Sequence, residues 1–259
     1  MGRRARVIAL ANQKGGVAKT TTTHSLGAAL VELGQRVLVV DLDPQACLTY
    51  SAGLDPDLLD TSLHDVVLGR ATVAEATVDI EGLHLLGANI DLAGAEIHLV
   101  SRTGREYVLK RALEPVIERY DFVLVDCPPS LGILTINGLT AADEVLIPLQ
   151  CETLSHRGVG QLLETIGDVR SYTNPDLVVR GVVATMFDGR TRLAQEVVAS
   201  VGEQYGLEVL GPPVPKSVKV AEAPGHGRSV LGHAPRSKAA EAYRALAAVV
   251  LAPAEGASA

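Results

Sequence analysis

The sequence predicts an α/β protein: a doubly wound, mostly parallel sheet with helices on both faces. Three observations carry this. Short, nearly continuous runs of Val, Ile and Leu recur along the chain, helical patterns separate them, and the first run feeds a glycine-rich loop. The apolar runs lie at 6–11, 36–41, 83–87, 122–126, 144–149 and 178–185. Continuous rather than alternating apolar character is how strands buried on both faces read. Between them, 21–33, 105–119, 158–169, 191–205 and 237–250 repeat apolar residues at helical spacing, as with Leu26, Leu30 and Leu33. Strand–helix alternation of this kind argues for parallel strands joined by crossover helices. The stretch 55–79 is less legible, and short helices are expected there.

The chain has 259 residues, which suits one domain over 1–251, with the small, polar tail 252–259 expected to fray. Its apolar runs are broken by charge, Gly or Pro well short of a membrane span. The basic start, Met1 to Arg6, leads into no secretory cleavage pattern, so a cytoplasmic, soluble protein is expected. Cys47, Cys127 and Cys151 are widely spaced and lack zinc-type pairing, which reads as three reduced thiols. The net charge of −7 argues against a dedicated DNA wrapper but leaves room for a local basic patch. With no Trp and two Phe, an aromatic base-stacking platform is not expected.

The first strand runs into Gln13-Lys14-Gly15-Gly16-Val17-Ala18-Lys19-Thr20-Thr21, followed by a helix. Loop amides and a helix N-terminus converge on an anion in this arrangement. Lys19 is placed to reach β- and γ-phosphates, and the Thr20 hydroxyl to sit on Mg²⁺. Gln13 and Ala18 stand where the general phosphate-loop pattern has glycine, so the fit is to K-G-G-x-x-K-[ST], with the extra Lys14.

Strand two ends in Asp41-Leu42-Asp43-Pro44-Gln45. Ligands of open α/β sheets collect at the carboxyl ends of strands, and two carboxylates there suit metal and water chemistry. The run Phe122-Val123-Leu124-Val125-Asp126, before Cys127-Pro128-Pro129-Ser130, reads as a strand whose terminal carboxylate holds Mg²⁺.

On these segments the chain resembles the ParA/MinD group of deviant Walker ATPases, and within it the chromosomal ParA (Soj) branch. The resemblance continues through 138–143, 147–152, 185–191 and 221–227. It implies a weak ATPase that dimerises with Mg·ATP, binds DNA non-specifically at the nucleoid, and is reset when a ParB-like partner stimulates hydrolysis to ADP. It implies that Lys14 reaches the partner protomer's nucleotide, that Asp43 orients the attacking water, and that Asp41 lies close to the Mg²⁺ shell. Lys14, Lys19 and Asp43 are then the catalytic set, with Thr20, Asp41 and Asp126 around the metal. Nucleotide binding falls to 14–21, with Met186, Pro215 and Lys216 at the base; Met186 equally suits a core filler. Arg190, Lys216, Lys219 and Arg228 are the DNA candidates, with Arg236 and Lys238 able to widen the patch. Each of these charges also reads as an ordinary solvated one. The family usually has glycine at Ala18, and the added methyl crowds the loop if positive φ is required there.

Other readings compete. A MinD-like membrane-cycling ATPase would end in a basic amphipathic helix, whereas 242–251 carries only Arg244, so no stable membrane association is expected. An iron–sulfur relative would need a second cysteine at useful spacing beside Cys127. A ParA-like ATPase positioning another cargo stays open.

Overall fold

The computed structural model describes residues 4–151 and 156–252. The basic start before Arg4, Glu152 and the tail beyond Ala252 lie outside the described residues. In chain order the elements are β1 (Arg6–Leu10), α1 (Lys19–Glu32), β2 (Val37–Asp41), α2 (Cys47–Ser51), α3 (Leu63–Leu68), α4 (Val73–Ala76), β3 (Thr77–Ile80), β4 (Leu83–Leu86), α5 (Leu92–Val100) and α6 (Val108–Leu113). There follow β5 (Phe122–Asp126), α7 (Ile133–Ala141), β6 (Glu144–Gln150), α8 (His156–Tyr172), β7 (Val178–Thr185), α9 (Arg192–Tyr205), α10 (Val218–Glu222), α11 (Val230–His233) and α12 (Lys238–Leu251).

Among the described residues the strands form one sheet in the order β3-β4-β2-β5-β1-β6-β7. All pairings are parallel except the edge pair β3–β4. The expected mostly parallel, doubly wound sheet is what the chain forms. Residues alternate across it. Val7, Ala9, Leu38, Val40, Val123 and Val125 enter one core, while Ile8, Leu10, Val37, Val39, Phe122 and Leu124 enter the other. Helices α3, α5, α6, α7, α8 and α9 cover the first face; α1, α11 and α12 cover the second. Burial on both sides explains why these strands lack alternation in the sequence.

The register positions the site. Leu10 of β1 and Asp41 of β2 both pair with Asp126 of β5. Three central strands therefore end level, and their loops open on the same edge, as expected for ligand sites of open sheets.

Several elements depart from the expectations. The stretch 105–119 is not one helix but α6 between two 3₁₀ turns, Arg105–Tyr107 and Glu114–Arg119. Pro115 supplies no amide and interrupts the α-helical ladder. The short helices expected within 55–79 are a 3₁₀ turn at Pro56–Leu58, α3 and α4, but Thr77–Asp79 belong to the antiparallel edge strand β3. Helices α5 and α7 were not anticipated. Leu134, Thr135, Asn137, Leu139 and Thr140 of α7 are all buried, so this helix shows little amphipathic period.

Helix α1 carries a buried imidazole, His24, which burial depresses to about 4. The folded chain keeps His24 neutral while the unfolded chain takes up a proton below about 6.5. Stability from this group is complete above the unfolded value and is lost as pH falls toward 4. Urea unfolding should therefore show a loss on the order of 3 kcal/mol across that window from His24 alone. His24→Leu should flatten that limb; an unchanged limb would show that other groups control it.

Candidate functional site

The loop between β1 and α1 is held from both sides. Asn12 donates to the Pro148 carbonyl at 2.8 Å and accepts from the Lys14 amide at 3.0 Å. Thr185, at the end of β7, donates to the Val17 carbonyl at 3.0 Å. Gly16 has φ +73° and Ala18, the N-cap of α1, has φ +63°. Positive φ costs a non-glycine residue roughly 1–2 kcal/mol. The sequence-based concern about Ala18 is thus realised as left-handed backbone.

Lys19 is buried, and its Nζ donates to the Lys14 carbonyl at 3.1 Å. Burial lowers its pKa, against the pull of Asp126. Thr20 Oγ1 donates to Asp126 Oδ2 at 2.7 Å, and Thr23 Oγ1 to Asp126 Oδ1 at 3.2 Å. Asp126 is pushed up to about 8, first by burial and next by the charge of Asp41. Two buried carboxylates on paired strands are costly without a cation. A divalent ion fits beside Asp126 and the Thr20 hydroxyl on those grounds.

Asp41, expected close to the Mg²⁺ shell, ends β2 level with Asp126. It is fully buried; Oδ2 accepts from the Thr49 amide at 2.8 Å and the Thr49 hydroxyl at 2.7 Å, and Oδ1 accepts from the Asp43 amide at 3.2 Å. Both oxygens accept from the loop after β2, so Asp41 anchors that loop and is also a source of negative potential on Asp126. Burial raises it to about 6. Asp43 does face the open space, and its Oδ1 accepts from the Gln45 amide at 2.9 Å.

Of these groups, Lys19, Thr20 and Asp43 line a cavity of about 840 Å³. One end holds Gly15, Gly16, Ala18, Lys19, Thr20 and Thr21, with Asp43 and Pro129 alongside; the other holds Met186, Pro215 and Lys216. The far end is built by backbone pairing: Phe187 donates to the Val214 carbonyl at 2.9 Å, and Lys216 to the Phe187 carbonyl at 3.1 Å. Met186 has φ +51° and is part of the cavity wall. Close backbone contact fixes one flank: a Cβ on Gly227 would lie 2.7 Å from Gly53 Cα. Val17 is buried and presents no side chain to the cavity. Lys14 does not line it either; its Nζ lies 3.4 Å from Gln150 Oε1.

The basic candidates are less free than the sequence implies. Arg190 forks onto Asp188 at 2.9 and 2.8 Å. Lys219 pairs with Glu222 at 2.9 Å. Lys216 and Arg228 are exposed, and Lys216 also borders the cavity. Sequence reasoning missed Thr23, Thr49, Thr185 and Tyr243. Tyr243 is wholly buried in α12, lines the cavity, and lies 3.3 Å from Thr22 Oγ1. Thr23 was within reach, standing one helical turn after Lys19 on the same face.

The chain is similar to known proteins over most of its length. A family model described as an AAA domain matches residues 5–179. The chain is 45% identical over 249 residues to the sporulation initiation inhibitor protein Soj of Bacillus subtilis, covering 95% of this chain and 98% of that one. It is 44% identical over 250 residues to the chromosome partitioning protein ParA of Caulobacter vibrioides, covering 95% and 94%. A crystal structure described as cobyrinic acid a,c-diamide synthase from Mycobacterium smegmatis, with bound ADP and magnesium, superposes with a TM-score of 0.86 at 54% identity, covering 95% and 94%.

Ala18→Gly removes roughly 1–2 kcal/mol of left-handed strain and adds roughly 0.5–1 kcal/mol of unfolded-state entropy. The variant should gain up to about 1 kcal/mol in denaturant unfolding. A loss of stability would mean that the Ala18 methyl makes contacts worth more than the strain.

Proposed function

The chain belongs to the Soj/ParA family of chromosome-partitioning P-loop ATPases, and from that premise we propose a nucleotide-switched cycle. It binds Mg·ATP, pairs with a second copy, holds DNA without sequence preference, and is reset by partner-stimulated hydrolysis. Residues 1–251 act as one unit in this reading, in the cytoplasm and at the nucleoid. The observation that carries it is one cavity, of about 840 Å³, lined both by the phosphate-loop Lys19 and Thr20 and by Met186, Pro215 and Lys216.

Amides of 15–21 and the Lys19 ammonium hold the triphosphate, which restores the charge that burial disfavours. Asp126 and the Thr20 hydroxyl would hold Mg²⁺, which would supply positive charge to the transferring phosphate. Asp43, at the cavity edge, orients the attacking water. Met186, Pro215 and Lys216 enclose the base. Lys14 supports the dimeric step because its ammonium is directed away from its own cavity. In a paired arrangement it adds positive charge to the partner's transferring phosphate, so hydrolysis depends on dimerisation. A ParB-like protein is the partner that stimulates it.

DNA binding falls to Arg190, Lys216, Lys219 and Arg228. Phosphates must compete with Asp188 and Glu222 for two of these cations, which makes retention weak and salt-sensitive. A membrane-cycling reading has less support. The apolar face of α12, including Ala239, Tyr243, Leu246 and Val250, is already buried. Among the described residues no helix is long and apolar enough to cross a membrane.

The description of the Mycobacterium smegmatis structure favours a second reading, an ATP-consuming amide synthase. If ammonia came from glutamine through a thiolate nucleophile, a cysteine would need a lowered pKa. Burial raises all three here, Cys151 to about 11.

Two experiments test the proposal. DNA retention should be higher with ATP than with ADP, and Arg190→Glu with Lys219→Glu should abolish it while ATP binding persists. Equal retention in both nucleotides would remove DNA from the cycle. In light scattering with Mg·ATP, Lys14→Ala should bind nucleotide yet stay monomeric; normal dimerisation of the variant would remove the cross-subunit role.

A further inference from the structure

A second cavity, of about 460 Å³, lies between α3–α4 and α6 with its following 3₁₀ turn. Its walls are Val66, Val67, Val73, Val108 and Val116, each no more than 8% exposed. Its rim carries Arg102, Arg111 and Arg119, all exposed, and its lining contains no carboxylate. Elsewhere the arginines of this acidic chain are commonly matched: Arg4 with Asp143, Arg36 with Asp121, Arg105 with Glu106 and Arg244 with Glu32. No ion pair among the described residues involves the three rim arginines. Arg102 donates only to the Val67 carbonyl, at 3.0 Å, which leaves the rest of its guanidinium available.

We propose that this cavity is a binding site for a small amphipathic anion, its apolar body among the valines and its carboxylate against the arginine rim. The volume is within the range of small-molecule sites, and the apolar walls supply burial. Planar guanidiniums match carboxylate geometry better than lysines do, and three of them around an apolar hole give charge complementarity to an acid. None of these residues belongs to the nucleotide cavity, so the inference stands apart from the nucleotide cycle.

Octanoate titrated into the full chain, followed by methyl NMR of the valines, tests it. Shifts should saturate at about 1 mM or below and concentrate on the methyls of Val66, Val67, Val73, Val108 and Val116. The exposed double variant Arg111→Ala, Arg119→Ala should weaken binding about tenfold or more, and Ala112→Phe should block it by filling the hole. Neutral octanol should bind more weakly than octanoate. Absence of shifts, shifts centred on the nucleotide cavity, equal binding of octanol, or an unaffected arginine variant would each overturn the proposal. So would an acidic peptide binding at this rim where octanoate does not, which would make the site a protein-docking surface.

Discussion

The site depends on the contact between the Thr20 hydroxyl and Asp126, 2.7 Å long, which ties the first turn of α1 to the end of the central strand β5. It sets the mouth of the phosphate loop against the edge of the sheet at which β1, β2 and β5 end level. It also leaves Asp126 beside Asp41 in a buried place, with Lys19 as the nearest cation acting on it. Burial and like charge then hold the carboxylate near neutrality until positive charge arrives. A site that is uncomfortable without its ligands is what a switch needs, because ligand binding supplies the differential free energy between states.

The rest of the fold converges on that contact. Asp41 secures the loop carrying Asp43 through Thr49, so the water-facing carboxylate is placed by one that is itself inaccessible. Thr185 ties β7 to the phosphate loop, and the segment after Leu210 returns beside Phe187 to finish the far end of the cavity. Helix α12 packs on α1 and presents Tyr243 to Thr22. The C-terminal third is therefore part of the nucleotide cavity rather than an appendage.

Much of this was legible in the sequence because the strands are buried on both faces and read as apolar runs, and because the phosphate loop has few other physical meanings. The roles of individual acids were less legible. Asp41 and Asp43 look alike in a sequence, and only the three-dimensional position of Thr49 shows that Asp41 anchors the loop that carries Asp43. Helix α7 was hidden because burial on most sides erases periodicity. The local partners of the basic candidates were not legible, because pairing of Arg190 with Asp188 and of Lys219 with Glu222 depends on loop geometry that charge counting does not contain.

The central claim, that Lys19, Thr20 and the loop amides grip a triphosphate with magnesium at Asp126, is tested most directly by titration calorimetry of the full chain with ATP. The account predicts a one-to-one heat with magnesium that Lys19→Ala removes and Asp126→Asn renders insensitive to magnesium. No heat of association with either ATP or ADP in the intact chain would contradict it.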